Sequence, residues 1–256
     1  MRGLPPVILA AVGSALVGGD AKGGAWTLEQ DGAQVFLTAR VKAGEAAVES
    51  EGDAAWAPSY DELGVDALVE YGVTDRLTLL AYGGAKDTDH PWQGSAANLD
   101  STGLAGRLGV FRDDDWAVSV QLGGGVDNFA GAGHSRPEAE GRFLVGRSFD
   151  LARLPAFAEI QTGYRLRGSD AADEVLIDVT LGARPRPDVL LLAQAFNALP
   201  TGDGMLAFTD DREHKAQLSV VWDVTARWSI QLGAFSTVGQ EAWRERGAVV
   251  AIWRRF

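Results

Sequence analysis

The chain contains no cysteine. That removes any disulfide framework and any thiolate metal site. Cationic side chains are scarce beside anionic ones, 23 Lys and Arg against 35 Asp and Glu, for a net charge of −12. Such a balance argues against nucleic acid as a partner and against a basic membrane-surface patch. Beyond residue 25 no stretch approaches the ~18 consecutive apolar residues of a spanning helix. Phosphate-loop, His-Glu-x-x-His and dinucleotide signatures are all missing, and GLAGRLG at 103–109 reads as a glycine-rich strand. No metal and no cofactor is expected.

The first residues, MRGLPPVILAAVGSALVGGDAKGGA, hold Arg2, an apolar run from Val7 to Val17, and small residues at 19–21 and 23–25. A positive start, a short apolar core and small residues before a cut form a secretory signal. Cleavage is expected after Ala21, with Ala25 as the alternative end. The competing reading is a buried or frayed N-terminal helix. On the signal reading, 1–21 is removed and 22–256 is a single domain.

Glycine is plentiful, 32 residues, and so is tryptophan, 8, within a chain that is 46% hydrophobic. Glycine at that density opposes long helices, and the apolar content opposes disorder. Period two runs through the rest. In AQVFLTARVK, 33–42, Val35, Leu37, Ala39 and Val41 share one face, and Phe36 breaks the pattern on the other. ELGVDALVEY (62–71), FAEIQTGYRLR (157–167) and EVLIDVTLGAR (174–184) alternate likewise. The rhythm returns near 76–84, 102–111, 116–127, 138–148, 188–196, 214–222, 228–236 and 247–256. Alternation of this kind marks strands with one apolar face. The spacing predicts about 12 strands, each near the ~9–11 residues of a tilted membrane-crossing strand.

Connections alternate between short ones (GVTD, RDDD, DLARLP, RPRPD, DVTAR) and long polar ones. Short turns on one side and long loops on the other are the habit of outer-membrane barrels. The hairpins recur every ~36–39 residues, close to propeller blades, but a blade needs four short strands in that interval. Tyr71, Trp116, Phe149, Trp222, Trp228 and Trp253 all lie near the short turns or the terminus. They are expected to form an interfacial aromatic girdle; the alternative is filling of a soluble core at sheet ends. The predicted fold is all-β: a closed, antiparallel, up-and-down transmembrane barrel. A soluble β-sandwich or soluble barrel is the outside alternative.

A signal, ~10-residue alternating strands and the ending GAVVAIWRRF together resemble a Gram-negative outer-membrane β-barrel. The resemblance implies an outer-membrane location, contact with outer-membrane lipid, and reading of the terminal Phe256 by the barrel assembly machinery. Arg254 departs from the apolar or aromatic residue usual at that point, and snorkelling to the headgroups is one way to accommodate it. EYGVTDRLTL, 70–79, resembles the strand–turn–strand of barrels grouped with the meta-pathway phenol-degradation family. That likeness implies passage of small, often apolar compounds and names no substrate.

Opposite the apolar faces lie Arg40, Asp66, Glu70, Arg107, Gln121, Glu140, Arg142, Glu159, Gln161, Arg165, Asp178 and Arg184, with Glu138, Lys215, Gln217 and Gln231. These are the expected lumen residues, and the inward face reads as polar. Two readings stand. One is a water-filled channel for a small-molecule solute. The other is a closed structural or surface-interaction barrel in which Arg107, Arg142 and Arg165 pair with Glu140, Glu159 and Asp178. Enzymatic signals are poor. His90, His134 and His214 fall in or near loops, Ser135 beside His134 is no dyad by adjacency, and no catalytic residue is assigned. The chain is expected not to be an enzyme, with an outer-membrane lipid hydrolase as a minor alternative. Asp61–Glu62, Asp113–Asp115 and Asp210–Asp211 read as solvated turns rather than loose Ca²⁺ ligands.

Overall fold

A computed structural model describes residues 24–46, 59–90, 94–128, 135–168, 171–202, 212–238 and 243–256. Twelve strands follow one another: β1 (Ala33–Ala46), β2 (Ser59–Thr74), β3 (Leu77–His90), β4 (Gly94–Arg112), β5 (Trp116–Asn128), β6 (Ser135–Leu151), β7 (Leu154–Arg167), β8 (Glu174–Arg186), β9 (Val189–Pro200), β10 (Glu213–Asp223), β11 (Trp228–Thr237) and β12 (Trp243–Arg255). Each pairs antiparallel with its sequence neighbours, and β1 pairs with β12 to close the barrel. Closure leaves no free sheet edge. At the seam Gln34 opposes Arg255 and Ala46 opposes Trp243. The Phe256 amide adds a bond to the Ala33 carbonyl at 2.9 Å.

The alternation read in the sequence becomes inside and outside. Along β2, Glu62, Asp66, Leu68 and Glu70 are buried, whereas Leu63, Val65, Val69 and Tyr71 are exposed. Large apolar side chains cover the outer surface: Leu122 is 72% exposed, Leu104 and Leu218 68% each. An apolar belt of this extent suits hydrocarbon, not water. It argues directly against the soluble sandwich and soluble barrel.

All five short turns lie at one end, together with Phe256. The β6–β7 turn, like those of β2–β3 and β8–β9, has two residues between its paired strand ends. Ala152 (φ 50°) and Arg153 (φ 71°) both hold left-handed backbone, the geometry of a two-residue hairpin turn without its usual glycine or asparagine. EYGVTDRLTL is the β2–turn–β3 corner. There Thr74 Oγ1 accepts from the amides of Arg76 and Leu77, at 3.2 and 3.0 Å. The long connections fall mostly outside the described residues, as do His134, Asp210–Asp211 and the expected signal segment 1–21.

Ahead of β1, residues 24–30 form no ladder. They enter the barrel at the short-turn end, and Gly24 through Leu28 are buried there.

Candidate functional site: the lumen

Strand parity decides which side chains reach the lumen. Arg40, Asp66, Glu70, Arg107, Gln121, Glu140, Arg142, Glu159, Gln161, Arg165, Asp178 and Arg184 all fall on the inward face. Towards the long-loop end, Arg142 on β6 donates to Asp178 on β8 at 2.5 Å and to Gln161 at 3.2 Å, and bonds Glu140. Arg165 lies 2.8 Å from Glu140 and 3.2 Å from Glu174. The neighbouring Arg167 lies 2.9 Å from Glu174.

A second network lines β10, β12, β1 and β2. Lys215 and Lys42 converge on Glu245 at 2.6 and 3.2 Å, and the Tyr60 hydroxyl donates to the same carboxylate. Lys42 also lies 3.4 Å from Glu62, and Arg40 3.0 Å from Asp66. Nearer the short turns, Arg184 and Arg255 share Asp223 at 2.8 and 3.1 Å. Tyr60, Lys42, Glu62 and Glu245 were not among the expected site residues. Their signal was available: each sits on the polar phase of its strand.

The arginine pairing differs from expectation in one respect. Arg107 pairs with Glu70, 3.2 Å away on β2, and its Nε donates to Gln121 at 3.1 Å. Glu159 instead accepts the Ala25 backbone amide at 2.5 Å and Gln161 Nε2 at 2.6 Å. His214 Nδ1 lies 2.8 Å from Asn197 Oδ1.

Two expectations are corrected here. The inward face is not uniformly polar. Phe36, Leu68, Leu80, Phe157, Leu190, Leu192, Val221 and Trp253 point inward and form one buried apolar cluster. Phe36, which broke the sequence alternation, belongs to it. Trp253 therefore leaves the girdle. It is 5% exposed and meets Phe36 edge to face, ring centroids 5.4 Å apart. Tyr71, Trp116, Phe149, Trp222 and Trp228 do point outward near the short turns, and all are exposed. Arg147 stacks over Trp116, and Arg254 over both Trp228 and Phe256. Arg254 is thus accommodated by aromatic faces on the outer wall.

The lumen is packed in this form. Glu70 and Glu159 are each 1% exposed, and Arg107 3%. Charges buried so deeply need partners: Arg107 and Glu70 pair with each other, and Glu159 is held by the Ala25 amide and Gln161 Nε2.

A closed antiparallel barrel of twelve strands, apolar outside and ion-paired inside, has solved counterparts. The COG4313 outer-membrane channel from Pseudomonas putida F1 is similar at a TM-score of 0.68 and 12% identity, over 92% of this chain and 99% of that one. The fold is that of an outer-membrane β-barrel. The translocator domain of autotransporter NalP from Neisseria meningitidis shares the barrel at a TM-score of 0.55 and 12% identity, over 88% of each chain. No family model and no curated protein matches the sequence. The expectation of a non-enzyme does not stand. The barrels found include the outer-membrane protease OmpT from Escherichia coli, at 8% identity and a TM-score of 0.35, over 90% of this chain and 98% of that one.

Proposed function

We propose that this chain is an outer-membrane channel for small molecules, guided by charge and closed in the form described above. The carrying observation is the lumen's ion-pair lining. Paired charges in a packed interior are an expensive way to fill it, since well-packed apolar residues of similar volume are often equally or more stabilising. Networks such as Arg142–Asp178–Glu140–Arg165 instead supply a lining that solute and water can hydrate when the lumen opens. The likeness to a solved outer-membrane channel and the resemblance of EYGVTDRLTL to the phenol-degradation barrels support the same reading. Export by the N-terminal segment and insertion through recognition of Phe256 by the barrel assembly machinery complete it.

A second reading, a closed barrel without transport, is favoured by the burial of Glu70, Glu159 and the apolar cluster. Single-channel recording of the refolded full chain in planar bilayers separates the two. Discrete, ion-selective openings are expected. A protein that inserts, remains heat-modifiable and never conducts would sink the channel reading.

A further inference from the structure

Charge is not shared evenly along the lumen. In the long-loop half, Arg142, Arg165 and Arg167 face Glu138, Glu140, Glu174 and Asp178. In the second network, Lys42, Lys215 and Arg40 face Glu62, Glu213, Glu245 and Asp66. In both, the carboxylates at least match the cations. At the short-turn mouth the balance reverses. Arg184 of β8 and Arg255 of β12 share one carboxylate, Asp223 of β10, at 2.8 and 3.1 Å. Asp188, in the β8–β9 turn, is paired instead with the exposed Arg186 at 3.1 Å.

The two guanidiniums are also short of acceptors. Arg184 donates through Nη1 to Asp223 and to the Pro187 carbonyl at 3.2 Å. Arg255 donates through Nη2 to Asp223 and to Ser229 Oγ at 2.9 Å, and through Nη1 to the Ala226 carbonyl at 3.5 Å. Ser229 itself donates to Asp223 at 2.5 Å. The Nε–H of each arginine is buried and has no hydrogen-bond partner. The side chains of Arg184, Arg255 and Asp223 are 6%, 13% and 17% exposed, so the trio lies just inside the mouth. Two buried donors and one surplus positive charge are what a monoanion would satisfy.

The next residues inward are apolar. Same-face neighbours on a strand lie ~6–7 Å apart. Trp253 is that neighbour of Arg255, and Val221 that of Asp223. Beside Arg184 the neighbour is Gly182, where a Cβ would meet the ring of Phe157. Trp253, Val221 and Phe157 all belong to the buried apolar cluster, as does Leu190 of the intervening β9. A cationic rim thus stands directly over an apolar floor.

We infer that Arg184 and Arg255 form a binding site for small organic monoanions: a carboxylate at the two guanidiniums, and a short apolar body towards Trp253, Val221 and Leu190. This deepens the channel reading by naming its solute class. It rests on that reading for passage of the solute, not for its binding at the mouth.

The test uses the refolded full chain, titrated calorimetrically with sodium hexanoate, with acetate and the uncharged hexanamide for comparison. Arg184→Gln leaves Asp223 and Arg255 balanced one to one. It should stay heat-modifiable and lose at least about tenfold in hexanoate affinity. Asp223→Asn enlarges the surplus charge and should tighten hexanoate by a similar factor. Arg255→Gln gives a second variant of the weakening kind should Arg184→Gln misfold. In planar bilayers, hexanoate on the short-turn side should reduce the native current with rising concentration and block Arg184→Gln far less. Hexanoate binding that follows neither substitution, or that hexanamide equals, would overturn the site. Acetate binding as tight as hexanoate would overturn its apolar half. Binding that responds to both substitutions in a barrel that never conducts would keep the site and overturn the channel.

Discussion

The guanidinium of Arg254 sits 4.5 Å from the ring centroid of Phe256, on the outer wall at the end of the closing strand. Trp228 on the adjacent strand offers a second face at 4.8 Å. A cation placed where an apolar residue is usual is therefore met by aromatic quadrupoles, each worth ~0.5–1 kcal/mol at an exposed site.

Removal of Phe256 is expected to act on assembly more than on packing. The deletion should yield less heat-modifiable protein in the membrane, while Arg254→Ala should assemble and lose only about 1 kcal/mol in urea unfolding. Equal yields of the deletion and the parent would reduce Phe256 to an ordinary terminal residue.

Trp253 and Trp228 are two residues of one sequence pattern with opposite surroundings. Trp253→Ala should cost ~3–5 kcal/mol, because it empties a buried site against Phe36. Trp228, exposed on the outer wall, should be quenched by brominated lipid, and Trp253 should not. Quenching of Trp253 would place it back among the girdle residues.

Arg142 and Asp178 form a buried pair at 2.5 Å. Asp178→Asn leaves Arg142 with Glu140, whereas Arg142→Glu sets three carboxylates together. The second change should destabilise more, at or above the ~3–5 kcal/mol typical of a broken buried pair. If the channel opens, it should also shift selectivity toward cations. A variant altered in neither stability nor selectivity would contradict the inward pairing.

Topology can be read by labelling intact cells. Gly202 lies at the end bearing the long connections and Asp114 in a short turn, and both are exposed. A cysteine at 202 should react with an impermeant maleimide and one at 114 should not. The reverse result would invert the proposed orientation.

A lipid-facing charge tests the outer wall itself. Leu122, 72% exposed near the middle of β5, should lose ~2–4 kcal/mol on replacement by Arg. Tolerance of the substitution without loss in urea unfolding would argue that this face meets water.

Much of the barrel was legible because its side-chain period is two. One-sided burial writes itself directly into the sequence. Leu63, Val65 and Val69 against Glu62, Asp66 and Glu70 mark both faces of β2 before any coordinate is known. Trp253 was misplaced because proximity to a terminus was weighed above parity: it lies an odd number of residues from Ile252 and Phe256, hence on the other face. Phe36 was set aside as an exception because a single aromatic on a polar phase carries no local sign of what it will meet. The placement of residues 24–30 was illegible for a further reason. WTLEQDG has no strand period, and the glycines it packs against lie on strands far away in sequence.

The sequence by itself determined the class of fold, the strand count and the side each alternating residue faces. Those follow from local periodicity and from the chemistry of lipid against lumen. Only the tertiary structure decided the partners: Arg107 with Glu70 rather than a more distant carboxylate, Trp253 with Phe36, and Trp26 over Gly146. Such pairings depend on register and on closure of β1 against β12, which bring residues separated by most of the chain to contact distance. Period two specifies a face, but it carries no information about which residue waits across it.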